Sequence, residues 1–228
     1  MMKNIWQAFP EGRLLAEISL WSADFTRLGA EIARIDPYAD LYHIDVSDGH
    51  FVPGFLFFAD LVAALRPLTK KPFHVHLMTI NPLAHIEDFI QAGADIITVH
   101  AENGPLAPAA LQKIHNCGAS AGIALGLDVN PDSILPYLEM ADLVLMMGTA
   151  MGVKGVDPSR YAYSRIGAMG EGIQKAGLQD QVKIIADGGI RDHTVPELRH
   201  AGADGVVMGS LAFKSQDLES TFRWLRSL

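Results

Sequence analysis

A short pattern recurs four times along the chain and limits its possible folds more than any other feature. Each copy contains Ala-Asp followed by mostly apolar residues: YADLYHIDV from Tyr38, GADIITVH from Gly93, MADLVLMMG from Met140 and GADGVVMG from Gly202. Successive copies lie roughly fifty to sixty residues apart, which is room for two strand–helix units of about 25 to 30 residues. The intervening strands are predicted at LLAEIS from Leu14, PFHVHLM from Pro72, AGIALGL from Ala121 and VKIIADGG from Val182. The pattern therefore predicts eight short strands.

The segments between these strands have apolar residues at helical spacing. The clearest are FTRLGAEIARI from Phe25, FADLVAALRPL from Phe58, LAHIEDFIQAGA from Leu83 and TVPELRHAGA from Thr194. Strands that alternate with helices predict an α/β protein with a parallel sheet, and so many units in a short chain favour closure over an open doubly wound sheet. We therefore expect one (β/α)₈ TIM barrel domain over residues 1–228, with residues 1–13 as an N-terminal extension.

Composition excludes several classes of partner. The 228 residues carry a net charge of −8, so we expect neither nucleic acid nor an anionic membrane surface as a partner. Cys117 is the single cysteine, which rules out an internal disulfide and predicts a reducing, cytoplasmic compartment. The opening MMKNIWQAFPEGR has no long apolar run, so neither a signal peptide nor a membrane span is expected there.

Polar side chains gather at the predicted carboxyl ends of the strands, where barrels of this kind place their active sites. His43 and Asp45 are two residues apart and so face the same side of strand two, as do His74 and His76 on strand three. Later strands add His100, Glu102, Asp187, Gly209 and Ser210. Any one histidine would more often be an ordinary core residue, but imidazoles and carboxylates sharing one face predict a site for one divalent ion, Zn, Mn, Fe or Co.

Glycine-rich turns follow the last three strands. Gly188-Gly189 follow strand seven, and Gly209-Ser210 precede LAFKSQ, which predicts a short helix from Leu211. Barrels often bind phosphate at this place through backbone N–H groups and the start of a short helix. MGVKG from Met151 predicts a mobile loop after strand six that closes over a phosphorylated ligand.

These motifs, in this order, resemble the ribulose-phosphate 3-epimerase family. The likeness runs from Ile18 to the chain end and rests on SLWSADF at Ser19, HIDVSDGHFVP at His43, VHLM at Val75, GADIITVHAE at Gly93, DLVLMM at Asp142, ADGGI at Ala186 and GADGVVMGS at Gly202. The resemblance implies a barrel of the ribulose-phosphate-binding type and a metal-dependent epimerase that inverts C3 of a ketose phosphate through an enediolate. D-ribulose 5-phosphate and D-xylulose 5-phosphate are the implied substrate pair.

The resemblance also implies roles for individual residues. The implied metal ligands are His43, Asp45, His76 and Asp187, with Asp45 as proton acceptor and Asp187 as proton donor. Implied substrate contacts are Ser19, His76, Gly152, Gly155, Gly188, Gly189, Gly209 and Ser210. Met78 and Met147 lie at strand ends and are predicted to cover the enediolate with polarisable surface, with simple core filling as the alternative.

Departures from the family pattern affect the pocket and leave the four metal positions intact. The family usually has an acid in place of His74, a methionine in place of Ser47, Asn-Pro in place of Gly126 and Asn-Pro-Gly-Phe-Gly-Gly-Gln in place of AMGVKGV. A hexulose or tetrulose phosphate therefore stays open as substrate. A barrel lyase is less favoured because strand three, HVHLMTI, has no lysine. A non-catalytic sugar-phosphate binder is less favoured because the metal positions are kept.

Two surface features have alternative interpretations. The aromatic run from Phe55 to Phe58 predicts a subunit interface, and hence a homo-oligomer, with helix packing as the alternative. Lys154 in the altered loop is interpreted as a solvated charge, with a phosphate clamp as the alternative.

Overall fold

The strands close on one another in chain order, which confirms the predicted barrel. The computed structural model describes residues 5–228, and within them eight parallel strands form a ring in which β8 pairs with β1. The strands are β1 (Leu15–Ser19), β2 (Leu41–Ser47), β3 (Phe73–Met78), β4 (Ile96–His100), β5 (Ser120–Leu125), β6 (Leu143–Met147), β7 (Lys183–Asp187) and β8 (Gly205–Met208).

Helices connect the strands on the outside of the barrel. The described α-helices are α1 (Leu28–Ile35), α2 (Ala59–Leu65), α3 (Ile86–Gln91), α4 (Leu106–Asn116), α5 (Ala162–Ala176), α6 (Val195–His200), α7 (Ser210–Phe213) and α8 (Leu218–Arg226). The connection from β5 to β6 is instead a 3₁₀ helix, Pro131–Met140, and the ring of Pro136 inside it would clash with the preceding turn of a regular α-helix. Among residues 5–228, no helix has the length and hydropathy that crossing a bilayer requires.

The predicted helix LAFKSQ is wrong in its extent. The observed α7 begins one residue earlier, at Ser210, and ends at Phe213. Residues 214–217 separate it from α8, whose start is capped by the Asp217 side chain, which accepts the backbone N–H of Ser220. The turn after β8 therefore opens directly into a single helical turn.

The fourfold Ala-Asp pattern has one structural cause. Each of its aspartates lies just before an even-numbered strand and accepts, at 2.8 Å, a backbone N–H at the start of the preceding strand: Asp40 from Ala16, Asp95 from Phe73, Asp142 from Ala121 and Asp204 from Ile184. The backbone N–H of each aspartate returns a bond to the carbonyl of the same residue. These paired bonds fix the register of neighbouring strands at the amino end of the barrel.

Alternate residues of each strand point to different layers. One set packs against the helices, while the other fills the barrel with Leu15, Leu41, Ile96, Leu143, Leu145, Ile185 and Val207. Trp6, in the 3₁₀ helix Ile5–Ala8, joins this interior cluster and donates its indole N–H to the carbonyl of Asp142 at 2.7 Å. Part of the predicted N-terminal extension thus packs against the interior, while its residues 1–4 lie outside the described chain.

Candidate active site and metal centre

Four side chains from three strands converge at the carboxyl end of the barrel. His43 and Asp45 belong to β2, His76 to β3 and Asp187 to β7, and one ligand atom of each lies within 4.8 Å of the others. Nε2 of His43 is 3.2 Å from Oδ1 of Asp45, 3.3 Å from Nδ1 of His76 and 3.8 Å from Oδ2 of Asp187. Nδ1 of His76 is 3.5 Å from the Asp45 oxygen and 3.9 Å from the Asp187 oxygen. The structure thus brings all four predicted ligands together.

These separations fit a single cation. A tetrahedral ion with metal–ligand distances near 2.0–2.1 Å has ligand atoms about 3.4 Å apart, so only small movements would be needed. Two imidazoles and two carboxylates form a mixed nitrogen–oxygen donor set that suits several divalent transition metals. His43 and His76 are fully buried and Asp45 nearly so, which shields the donor atoms from bulk water. The cluster could therefore bind a divalent metal ion.

Neighbouring groups hold each carboxylate in position. The hydroxyl of Ser19, the last residue of β1, donates to Oδ2 of Asp45 at 2.8 Å, which leaves Oδ1 facing the histidines. The backbone N–H of Gly188 donates to Asp187. Both acids therefore keep one oxygen directed into the cluster, and the predicted contact residue Ser19 lies next to the predicted base.

The two aspartates differ in the pKa that their surroundings impose. Burial raises the pKa of Asp187 to about 7 against the opposing charge of His43, and the charges of Asp45 and Glu17 reinforce this rise. Burial acts on Asp45 as well, but His43 and His76 outweigh it and hold the pKa of that carboxyl well below its usual range. Two carboxyl groups with divergent pKa values are the arrangement expected of a base and an acid.

The outer nitrogen of His76 also has a defined partner. Nε2 of His76 is 2.7 Å from Nε2 of His100, and Nδ1 of His100 is 3.2 Å from Oε2 of Glu102. Burial lowers the pKa of His76 to about 3 in spite of its hydrogen bond with Asp45, so the ring is neutral and can offer a lone pair to a metal. Oε1 of Glu102 accepts the backbone N–H of Gly126 at 2.8 Å, and a side chain at residue 126 would overlap that oxygen.

His74 lies beside the cluster and is not one of its four members. Its Nδ1 contacts Oε1 of Glu17, and its Nε2 is 2.6 Å from the hydroxyl of Thr98. Glu17 is fully buried and was not among the predicted site residues. An acid in the apolar stretch LLAEIS, two residues before Ser19, was the signal that could have identified it, because that spacing places both side chains inside the barrel.

A cavity of about 720 Å³ opens over the cluster. Asp45 and Asp187 line it, together with every residue predicted to contact substrate: Ser19, His76, Met78, Met147, Gly152, Gly155, Gly188, Gly189, Gly209 and Ser210. Lys154, Arg191 and Lys214 also line this cavity. These three cations offer local partners to an anionic ligand, beside the lining acids Asp45, Asp187 and Asp192, although the chain as a whole carries −8.

Lys154 is exposed, but its ammonium group also has partners within the protein, and its interpretation as a solvated loop charge stays a prediction. Its Nζ donates to the carbonyl of Trp21 at 2.6 Å and lies 3.9 Å from the centre of the indole ring. Trp21 follows β1, so this contact joins the loop after β6 to the loop after β1 across the cavity mouth. The alternative role, as a phosphate clamp, stays a prediction.

The aromatic run near α2 lies outside this cavity. Phe57 is buried, whereas Phe55 is 81% and Phe58 59% exposed. With Phe89 of α3, all three line another cavity of about 730 Å³, which includes none of the four cluster residues. The exposed rings mark where the predicted subunit interface would lie, and that interface stays a prediction.

Solved structures share the barrel fold at low sequence identity. A 3-hexulose-6-phosphate synthase superposes with a TM-score of 0.65 at 15% identity, and the superposition covers 94% of this chain and 99% of that one. A 3-keto-L-gulonate-6-phosphate decarboxylase from Vibrio cholerae superposes with a TM-score of 0.67 at 16% identity, with 95% and 97% covered. At such identities the likeness concerns the fold alone.

Sequence comparison gives a closer relation. The ribulose-phosphate 3-epimerase of Synechocystis sp. is 37% identical over 216 residues, which cover 92% of this chain and 91% of that protein. The Bacillus subtilis enzyme of the same name is 36% identical over 209 residues, with 91% and 96% covered. The family model described as "Ribulose-phosphate 3 epimerase family" matches residues 15–213, so this chain belongs to the ribulose-phosphate 3-epimerase family.

Proposed function

We propose that this chain, a carbohydrate-phosphate epimerase by its family, is a metal-dependent enzyme that inverts C3 of a ketose phosphate. The substrate pair we favour is D-ribulose 5-phosphate and D-xylulose 5-phosphate. The observation that carries the proposal is the convergence of His43, Asp45, His76 and Asp187 within 4.8 Å of one another, beneath a cavity with cationic side chains.

Epimerisation next to a carbonyl requires a base and an acid that act from different directions. Asp45 projects from β2 and Asp187 from β7, strands that are three steps apart around the ring, so they approach a ligand on the barrel axis from different sides. Asp45, whose pKa is held low, removes the C3 proton as a carboxylate. Asp187, whose pKa is about 7, returns a proton from the other side, and the roles reverse in the opposite direction.

The residues around these acids support an anionic, enediolate-like intermediate. A divalent cation held by the four ligands would place positive charge beside the substrate oxygens. Met78 and Met147 line the cavity as nearly buried apolar surface, which excludes water from a planar intermediate. Gly188, Gly189, Gly209 and Ser210 line the same cavity, and the backbone N–H groups of the last three would bind a phosphate.

A panel of ketose phosphates tests the proposal directly. The purified protein, loaded with Zn²⁺, Mn²⁺, Fe²⁺ or Co²⁺ in turn, is incubated in D₂O with tetrulose, pentulose and hexulose phosphates. We expect inversion and deuterium incorporation at C3, fastest with the pentulose phosphates. Turnover confined to a hexulose or tetrulose phosphate would replace the favoured substrate and keep the reaction type.

Two other functions predict different results in the same experiment. A non-catalytic sugar-phosphate binder would leave deuterium out of C3 in every substrate. A barrel lyase would cleave a carbon–carbon bond, but β3 presents His74, His76 and Met78 to the barrel and contains no lysine to support that chemistry. Absence of C3 exchange with all substrates and all four metals would overturn the proposed function.

A further inference from the structure

A fully buried carboxylate lies behind the cluster and contacts one of its ligands. Oε1 of Glu17 accepts from Nδ1 of His43 at 2.6 Å and also from Nδ1 of His74. We propose that Glu17 is a positioning residue that fixes the ring orientation and tautomer of His43 for metal binding, and that His74 and Thr98 hold Glu17 in place. This inference rests on the proposed function, because it concerns the same metal centre.

The tautomer follows from the chemistry of the contact. A carboxylate can only accept hydrogen bonds, so Nδ1 of His43 must carry the proton that points to Glu17. The metal-facing lone pair is then on Nε2, the atom that lies 3.2 Å from Asp45 and 3.8 Å from Asp187. Histidine ligands of metals almost always have such a partner on the other ring nitrogen, and its loss commonly weakens metal binding 10- to 100-fold.

The second imidazole explains how Glu17 keeps its position. Nδ1 of His74 contacts the same Glu17 oxygen, and Nε2 of His74 is 2.6 Å from the Thr98 hydroxyl. Thr98, His74, Glu17 and His43 therefore form one continuous chain across β4, β3, β1 and β2, and all four side chains are fully buried. Because His74 is bonded at both ring nitrogens, Glu17 cannot turn its Oε1 away from His43 without also breaking its contact with His74.

A contribution to protein stability does not explain why a glutamate is buried at residue 17. Oε2 of Glu17 is buried without a hydrogen-bond partner among the described residues. A buried acid with one unsatisfied oxygen costs free energy that an apolar residue at the same place would not. This cost in stability is explained if Oε1 of Glu17 positions His43 for metal binding.

The register of β2 and β3 offers an independent way to restore the contact. His43 and His74 are direct partners across the two strands, and their rings are 5.0 Å apart. A glutamate at residue 74 would therefore approach His43 from β3, just as Glu17 does from β1. Moving the carboxylate from residue 17 on β1 to residue 74 on β3 should restore the contact with His43 and with it the metal affinity. A side chain at residue 74 that only fills space should not restore them.

The experiment compares Zn²⁺ dissociation constants measured by competition with a chromophoric chelator, and Co²⁺ absorption spectra as a record of ligand geometry. The variants are Glu17→Gln, Glu17→Ala and Glu17→Ala with His74→Glu. The control is Asp40→Asn, a buried carboxylate that bonds Arg13 and Ala16 at the other end of the barrel. Circular dichroism and thermal unfolding record folding in every case.

We expect Glu17→Ala to weaken Zn²⁺ binding about 10- to 100-fold and to alter the Co²⁺ spectrum. Glu17→Gln, whose amide oxygen still accepts from Nδ1 of His43, should have a smaller effect. Asp40→Asn should lower thermal stability but leave the dissociation constant within about twofold, and the double variant should recover most of the affinity lost in Glu17→Ala. Wild-type affinity in Glu17→Ala would overturn the inference, as would a double variant no tighter than Glu17→Ala. If Glu17→Ala fails to fold, a folded double variant that binds Zn²⁺ more than about 100-fold more weakly than the wild type would overturn it instead. Wild-type protein that binds none of the metals would overturn the proposed metal centre itself.

Discussion

Removal of the metal should lower thermal stability by an amount that the geometry allows us to work out. The four ligand atoms already lie 3.2 to 3.9 Å apart in the measured pairs, close to the spacing of about 3.4 Å around a tetrahedral ion. Such a preformed site exists only in the folded chain, so the linkage relation for a ligand that binds the folded state alone applies with the measured Kd. At free metal one hundred times Kd, the stabilisation is about 2.7 kcal/mol. For a chain of 228 residues, this corresponds to a rise in Tm of about 5 to 11 °C.

Differential scanning fluorimetry of chelator-treated protein, titrated with Zn²⁺ or Mn²⁺, measures this shift. His76→Gln is the matched variant, because it removes one buried ligand and keeps the polar character of the site. The titration of this variant should show a much smaller rise at the same free metal concentration. Equal shifts in both proteins would place the stabilising ion elsewhere, and no shift in the wild type at any concentration would refute the reasoning.

The remaining predictions concern proton transfer, pH, substrate binding and packing. Asp187→Asn should lower kcat about 10²- to 10⁴-fold. The variant should still exchange the C3 proton for deuterium in the one epimer that Asp45 deprotonates. Loss of exchange from both epimers would contradict the proposed roles of the two aspartates. Because the pKa of Asp187 is raised to about 7, its proton competes with the metal below that pH. Metal affinity measured by calorimetry should therefore fall roughly tenfold for each pH unit below the pKa of Asp187. An affinity that does not change with pH would contradict this competition. Lys154→Ala should raise KM for the sugar phosphate about tenfold with kcat less affected, since charge-assisted contacts to phosphate are strong, and an unchanged KM would exclude the clamp. Gly122→Ala should destabilise the protein by about 1–3 kcal/mol in urea unfolding, because the added methyl would overlap the Thr98 hydroxyl; unaltered stability would contradict this.

The positions of the strands could be predicted from the sequence because the short motif that marks them itself forms the strand-start contacts. The Ala-Asp pattern marks the place where each aspartate bonds the start of the preceding strand, so the motif and the strand positions are physically the same feature. The spacing of two residues likewise placed His43 with Asp45 inside the barrel, and closure of the sheet brought them to His76 and Asp187. The roles of these residues in metal binding and proton transfer stay predictions.

Other features could not be predicted because they depend on how distant segments meet. Period-two spacing places Glu17 inside the barrel, but only the register of β1, β2 and β3 shows that it contacts both His43 and His74. The bond from Lys154 to Trp21 joins loops 133 residues apart and depends on the conformation of both. No periodicity within a single segment contains that information.

The asymmetry of the barrel interior explains how two aspartates in one cavity acquire different acidities. The inward side chains of β1 to β4 are largely polar, and the imidazoles of His43 and His76 surround Asp45 and lower its pKa. The inward side chains of β5 to β8 are largely apolar, with Leu145, Met147, Ile185 and Val207 among them, and Asp187 projects from this half. Burial dominates there and raises the pKa of Asp187. The proposed division between base and acid therefore follows from the two halves of the barrel, and an imidazole added to the apolar half should lower the pKa of Asp187 and leave less of it protonated at neutral pH.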